Sequence, residues 1–254
     1  MKQIIFNQRV TIFTNSFIGY SDNYEQELRS NFDNIDDIGV LQPNLAIMIS
    51  PQQIISPNQI PQNAAWFIKI YDIKVEFLPN KIDIVSDLFI NSEEEEITRL
   101  NQLTKLLISI NKIISIGSIT RIAYAPSFGL EYEDTISIDN HWRSIINIPD
   151  IDNSCKQEKM VRYNTQCKQN FCKYKNIVVN RVVTISEGQR VERRNTPNGE
   201  VDNKRIECMI VSLDINTSGN TGNYSIEAVD TFCNKAQSIG RELLNSVINK
   251  VNKQ

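Results

Sequence analysis

The chain has a single histidine among its 254 residues, and that scarcity removes whole classes of chemistry. A histidine-rich metal centre and any mechanism that hands a proton between two imidazoles are excluded. Glycine and proline are sparse, at 9 and 8, which argues against a disordered or fibrous chain. No apolar run approaches the roughly 18 residues that a membrane helix needs. The segment "MKQIIFNQRVTIF" interrupts its apolar residues with Asn7, Gln8 and Arg9, so it lacks the continuous apolar stretch of an export signal. A soluble protein of the cytoplasm, with no membrane partner, is the expectation. Five cysteines are odd in number and unevenly spread, which does not make a disulfide framework. Reduced thiols are expected.

What is present is an ordinary globular complement. A hydrophobic content of 41% over 254 residues suffices for a core without covalent staples. The small net charge of -3 hides a division: residues 1–150 carry 11 Lys and Arg against 19 Asp and Glu, residues 151–205 carry 12 against 6, and the remainder 4 against 5. A basic insert in an acidic body points to an oppositely charged partner, because a clustered field steers whatever complements it.

Local patterns give the elements. "QIIFNQRVTIF" is strand-like, and "SDNYEQELRSNF" reads as a short helix opened by Ser21 or Asp22. "NLAIMIS" is a further strand, followed by the connector "PQQIISPNQIPQN" with three prolines. "AAWFIKIYDIKVEFLP" and "KIDIVSDLF" form two runs meeting at Pro79-Asn80, as in a hairpin, and Ile82, Ile84 and Leu88 alternate with polar neighbours. The clearest helix is "SEEEEITRLNQLTKLLISINKII". Ser92 is its cap, Glu93 to Glu96 sit where the helix dipole favours negative charge, and Leu100, Leu103, Leu107, Ile110 and Ile114 make one stripe. "SITRIAYAPSFGLEY" is the next strand. "NIVVNRVVTISEGQRVE" and "KRIECMIVSLDINT" flank the turn "RRNTPNGEVDN". A final helix over 225–251 carries Val229, Phe232, Ala236, Ile239, Leu243, Val247 and Val251 on one face. The expected fold is α+β in two halves, 1–135 and 136–254, each a mostly antiparallel sheet packed on one long helix, with the basic insert 155–205 in the second.

The insert begins "CKQEKMVRYNTQCKQNFCKYK", which holds three cysteines and six positive charges. Cys155, Cys167 and Cys172, with His141 upstream, lack the close ligand pairs of a structural zinc site, so no metal and no cofactor is expected. The cations are interleaved with aromatics: Lys156, Lys159, Arg162, Tyr163, Lys168, Phe171, Lys173, Tyr174 and Lys175, followed by Arg190, Arg193 and Arg194. Such a mixture can hold a polyanion and stack bases, or supply area to a protein interface. It is also how an edge strand stays soluble. No recognised nucleic-acid reader accompanies it.

Catalytic constellations are lacking. His141 in "DNHWRS", with Asp139 and Arg143 near it, is a base that a cysteine nucleophile such as Cys155 can meet in space. "NTSGNTGNYS" places Gly219 and Gly222 ahead of the last helix, where free N–H groups can cradle an anion, yet it has no phosphate-loop lysine.

Trp66 and Phe67, then Arg121 and Ile122 in "ITRIAYA", then Asp230 in "LDINT…VDTFCNKA" resemble the layout of a sporadically distributed bacterial family of about 250 residues with no assigned activity. Ala123 stands where that family has glycine, and Cys233 where histidine is expected. The resemblance implies no catalytic residues. With the AT-rich flavour of the Ile, Asn and Lys usage, it points to a bacterial defence or phage-encoded complex. The expectation is a non-enzymatic binding or assembly subunit whose segment 155–194 meets an acidic protein partner or another copy. A nucleic-acid-binding accessory protein is the alternative, and an enzyme of unrecognised class the third reading.

Overall fold

A computed structural model describes residues 2–41, 64–131, 160–195, 201–219 and 222–251, of which residues 192–195, 201–204 and 251 are described by backbone alone. In chain order the elements are β1 (Lys2–Thr14), α1 (Asp22–Asn31), β2 (Asp37–Val40), β3 (Trp66–Ile70), β4 (Ile73–Leu78), β5 (Lys81–Ser86), α2 (Glu93–Ile113), β6 (Ile119–Glu131), β7 (Met160–Phe171), β8 (Tyr174–Asn195), β9 (Val201–Thr217) and α3 (Ile226–Val251). The strand expected over "NLAIMIS" and the connector after it lie outside the described residues.

Among the described residues there is one sheet in place of two, nine-stranded and in the order β2-β3-β4-β5-β1-β6-β9-β8-β7. Each of its ladders is antiparallel. The seam between the expected halves is closed by the ladder of β6 with β9, which runs from Ala123 opposite Asn216 to Glu131 opposite Cys208. A single apolar core spans both sides of that seam, from Trp66 and Phe77 through Val10 and Tyr124 to Val183 and Leu213. The α+β class holds, with the sheet continuous.

The run "AAWFIKIYDIKVEFLP" is itself two strands. It turns at Tyr71-Asp72, where Tyr71 adopts φ 53°, and the chain turns again at Pro79-Asn80 into β5, so β3, β4 and β5 make a meander. Trp66 anchors this end. It is fully buried, stacks on Phe77 at 4.2 Å and donates from Nε1 to the Ile18 carbonyl at 2.8 Å.

α2 follows its stripe: Leu100, Leu103, Leu107, Ile110 and Ile114 are all fully buried, each side chain stabilising the fold by roughly 1.5–3 kcal/mol on transfer from water. Ser92 caps it by accepting from Glu95 N–H at 3.1 Å, while the Glu95 carboxylate reaches back to the Asn91 N–H at 3.1 Å, satisfying two donors that would otherwise lack partners. In α3 the buried seam runs through Val229, Phe232, Ala236, Ile239, Leu244 and Val247. Leu243 is half-buried at its margin and Leu244 takes the central place.

The helices cover one face of the sheet. On the other, a row of side chains crosses the strands in register. Gln166 of β7 donates to Asn180 Oδ1 of β8 at 2.8 Å, and Asn180 donates to Asn216 Oδ1 of β9 at 3.0 Å. Further along the same row Thr11 donates to Asp83 at 2.5 Å. This amide ladder ties β7 to its neighbours and fixes which residues it presents.

Candidate interaction surface

The basic segment resolves into the outer strand of the sheet and the turn that follows it. β7 pairs with β8 and with no other described strand. Its register sets Val161, Tyr163 and Cys167 opposite Ile185, Val183 and Val179, which are buried under the helix face. By the two-residue period of a strand, Arg162, Asn164, Gln166 and Lys168 therefore point to the open face. Arg162 and Lys168 are exposed there, and Lys173 and Lys175 are exposed at and just after the turn. Cys172 makes that turn with φ 48°, and its thiol lies 3.1 Å from Thr231 Oγ1.

Three residues expected on a contact surface are engaged within the fold instead. Phe171 is 3% exposed and packs on Tyr224 and Phe232 at centroid distances of 5.7 and 5.3 Å. The chain turns back on itself here, so an aromatic read as a contact residue becomes the floor on which α3 begins. Tyr174 is half-buried, and its hydroxyl donates to the Asn223 carbonyl and accepts from the Ser225 N–H, each at 3.0 Å. It ties down the entry into α3. Arg190 is half-buried because it reaches across β9 to an ion pair with Glu131 of β6. Tyr163 is half-buried against the core margin, and burial raises its phenol pKa. Arg193 and Arg194 lie on β8 opposite Asn203 and Asp202. Lys156, Lys159, Cys155 and His141 lie outside the described residues.

In the loop before α3 the donor of Gly222 is not free. The Gly222 N–H donates to the Thr120 carbonyl at 3.2 Å, and a Cβ at this position would lie 2.6 Å from the same oxygen. Glycine is needed here for close approach of two backbones. Among the described residues no three His, Cys, Asp or Glu gather as a metal site.

A second polar constellation lies in the interior, where sequence reasoning placed none. Glu96 is 1% exposed and forms an ion pair with Arg241 of α3. Its Oε1 accepts from the Tyr124 hydroxyl at 3.0 Å, and its backbone carbonyl accepts from Gln8 Nε2 at 3.1 Å. Gln237 faces the same carboxylate from one turn before Arg241. Burial raises the Glu96 pKa, and Arg241 and Tyr124 oppose that rise in part. Tyr124 is pushed well up by burial and by the Glu96 charge. The signal was in the sequence: Glu96 lies one turn before Leu100 and continues the buried stripe of α2. Closed on all sides by β1, β6, α2 and α3, the cluster joins the two long helices to the sheet.

A depression of about 510 Å³ flanks α2, lined by Leu88, Phe89, Thr98, Arg99 and Gln102 among others. Arg99 is bound there to Asp72 at 3.1 Å. Glu94 and Glu95, on the outer side of the helix, reach this depression, whereas the buried Glu96 does not line it.

No protein-family model matches the chain, and no curated protein matches it. Among the described residues no helix is long and apolar enough to cross a membrane.

Proposed function

We propose that the protein is a non-enzymatic binding or assembly subunit of a cytoplasmic complex, and that the outer strand β7 with the β7–β8 turn is the surface that meets an acidic protein partner. One observation carries the reading. A twelve-residue edge strand places Arg162 and Lys168 on one face, with Lys173 and Lys175 at its end, and no acidic side chain among the described residues pairs with Arg162, Lys168 or Lys175. Charges so exposed act mainly on encounter and on the choice of partner. The strand order favours a division of labour: β1 to β6 with α1 and α2 form a supporting half, 1–135, and β7 to β9 with α3 a presenting half, 136–254. A bacterial defence or phage-encoded assembly is the context we favour.

Protein is preferred over nucleic acid because two of the three aromatics able to stack on bases are otherwise engaged, Phe171 in the core and Tyr174 at the start of α3. The test is a triple neutralisation, Lys168→Gln with Lys173→Gln and Lys175→Gln, compared with the wild type in copurification from a native host and in oligonucleotide binding at low and physiological salt. The expected result is loss of an acidic protein partner at unchanged melting temperature. Partner recovery unaltered by the triple change refutes the assignment. Wild-type oligonucleotide binding that falls steeply with salt supports the nucleic-acid alternative.

A further inference from the structure

We infer that β7 is a strand-addition site: an extended partner segment pairs with the edge that no described strand occupies and is read by alternation, acidic side chains meeting Arg162 and Lys168 and apolar ones lying beside Val161, Tyr163 and Cys167. This rests on the proposed acidic partner and names its form.

The argument begins with how the sheet treats its two margins. A strand at the edge of a sheet leaves a row of backbone donors and acceptors unpaired, and proteins blunt such rows with short strands, prolines, bulges or charge. β2, at one margin, is blunted by length, having only 4 residues. β7, at the other, has 12, which is about 40 Å of edge at the rise of an extended chain. It contains no proline, and its one irregularity lies at the turn end, between Gln169 and Phe171. Charge is present at two positions, and both point to the open face. Between them "YNTQC" is uncharged. If charge served only to repel other edges, it would interrupt this stretch.

The two faces of β7 then specify the occupant. On the helix side Val161, Tyr163 and Cys167 are half-buried and pack against the core margin, so an added strand with apolar residues on that side extends the core by one strand. On the open side the amide ladder from Gln166 through Asn180 to Asn216 holds the strand in register, which keeps Arg162 and Lys168 on one line. A segment with Glu or Asp at every second residue and Val, Ile or Tyr between satisfies both faces with one period. Main-chain hydrogen bonds supply affinity in this mode, and the alternating side chains supply specificity.

The experiment uses the full chain and three probes: an alternating Glu-Val peptide, its Lys-Val counterpart, and a single-stranded oligonucleotide. Binding is followed by anisotropy, and amide exchange of β7 by mass spectrometry with residue-level NMR. The Glu-Val peptide is expected to bind, and alternate amides of β7 to slow at least tenfold on binding. The double reversal Arg162→Glu with Lys168→Glu, checked for an unchanged melt, is expected to lose the Glu-Val peptide by at least tenfold and to gain the Lys-Val one. Glu-Val binding without β7 protection overturns strand addition while leaving the acidic-partner reading standing. Protection of the same amides by self-association, with no peptide present, identifies a second copy as the occupant and overturns the proposal. Binding of the oligonucleotide alone, or of no probe, overturns both the mode and the reading beneath it.

Discussion

Replacing Arg241 by Met tests whether the buried ion pair anchors the two long helices. The Arg241 side chain is 14% exposed and that of Glu96 1%, and the guanidinium also lies over the Phe128 ring at 5.5 Å. Met keeps most of the apolar stem but leaves the carboxylate inside without its cation. Breaking such a pair from one side costs about 3–5 kcal/mol, which for a chain of this length lowers the melting midpoint by roughly 6–20 °C. The pH dependence carries its own sign. Burial already raises the Glu96 pKa above its ordinary value, so the folded state holds that proton more tightly than the unfolded state does. The contribution of Glu96 is therefore fully present below the unfolded carboxyl value and is lost as pH rises through the folded value. Removing Arg241 takes away an interaction that lowers the folded value, so the deficit of the variant against the wild type must grow as pH rises. At pH near the ordinary carboxyl range it should shrink to a packing loss of about 1–2 kcal/mol. The double variant Glu96→Gln with Arg241→Met keeps an acceptor for the Tyr124 hydroxyl and removes the lone charge, so it should recover most of the stability at neutral pH. Chemical denaturation of the wild type, both singles and the double at several pH values is the assay. A loss below about 1 kcal/mol, or a deficit independent of pH, refutes the reasoning.

Two further expectations follow from packing and from burial. Leu107→Ala and Leu244→Ala should each cost about 2–5 kcal/mol, because both sites are fully enclosed and truncation leaves a cavity. Leu243→Ala should cost distinctly less, and equal losses at 243 and 244 in chemical melts would contradict the seam described for α3. In the native protein at pH 8, exposed Cys172 should react with a thiol reagent well before Cys208 and Cys233. Burial, with Glu131 and Glu207 adding to it, pushes the Cys208 thiol up to about 11, and burial raises Cys233 further. Since the thiolate is the nucleophile, peptide mapping that finds Cys208 labelled as fast as Cys172 would contradict this.

The long helices were legible because each repeats its apolar residues over many turns and starts with recognisable chemistry. Leu243 was placed in the seam and Leu244 left out because spacings of three and four drift over a helix of 26 residues, and the centre of a stripe moves to a neighbouring position. Glu96 was hidden by its company. A run of four glutamates at a helix start is explained by the dipole, and although the fourth continues the stripe of Leu100, nothing local names the arginine far along the chain that it meets. Phe171 and Tyr174 show the same limit from the opposite side, since aromatics among lysines read as a surface until the fold lays α3 across them. The continuity of the sheet was not visible either, because strand pairing is decided by registers between segments and not within them. The basic edge was legible as composition, while the face on which each cation stands required β8 to be in place.

The position of β1 carries a consequence for how the molecule is assembled in time. Val10 lies opposite Ile84 on one side and Tyr124 on the other, so the strand nearest the start of the chain is the centre of the sheet and has no partner close to it in sequence. The meander of β3 to β5 can close through tight turns, but β1 must wait for β5, and its ladder with β6 for a still longer loop to close. Pairings over such separations form slowly, because the entropy of closing the loop is lost before any contact returns it. During that interval a thirteen-residue strand rich in Ile, Val and Phe stands unpaired, with two edges to satisfy. The same placement that makes β1 the keystone of the finished sheet makes it the segment most in need of protection while the chain is incomplete.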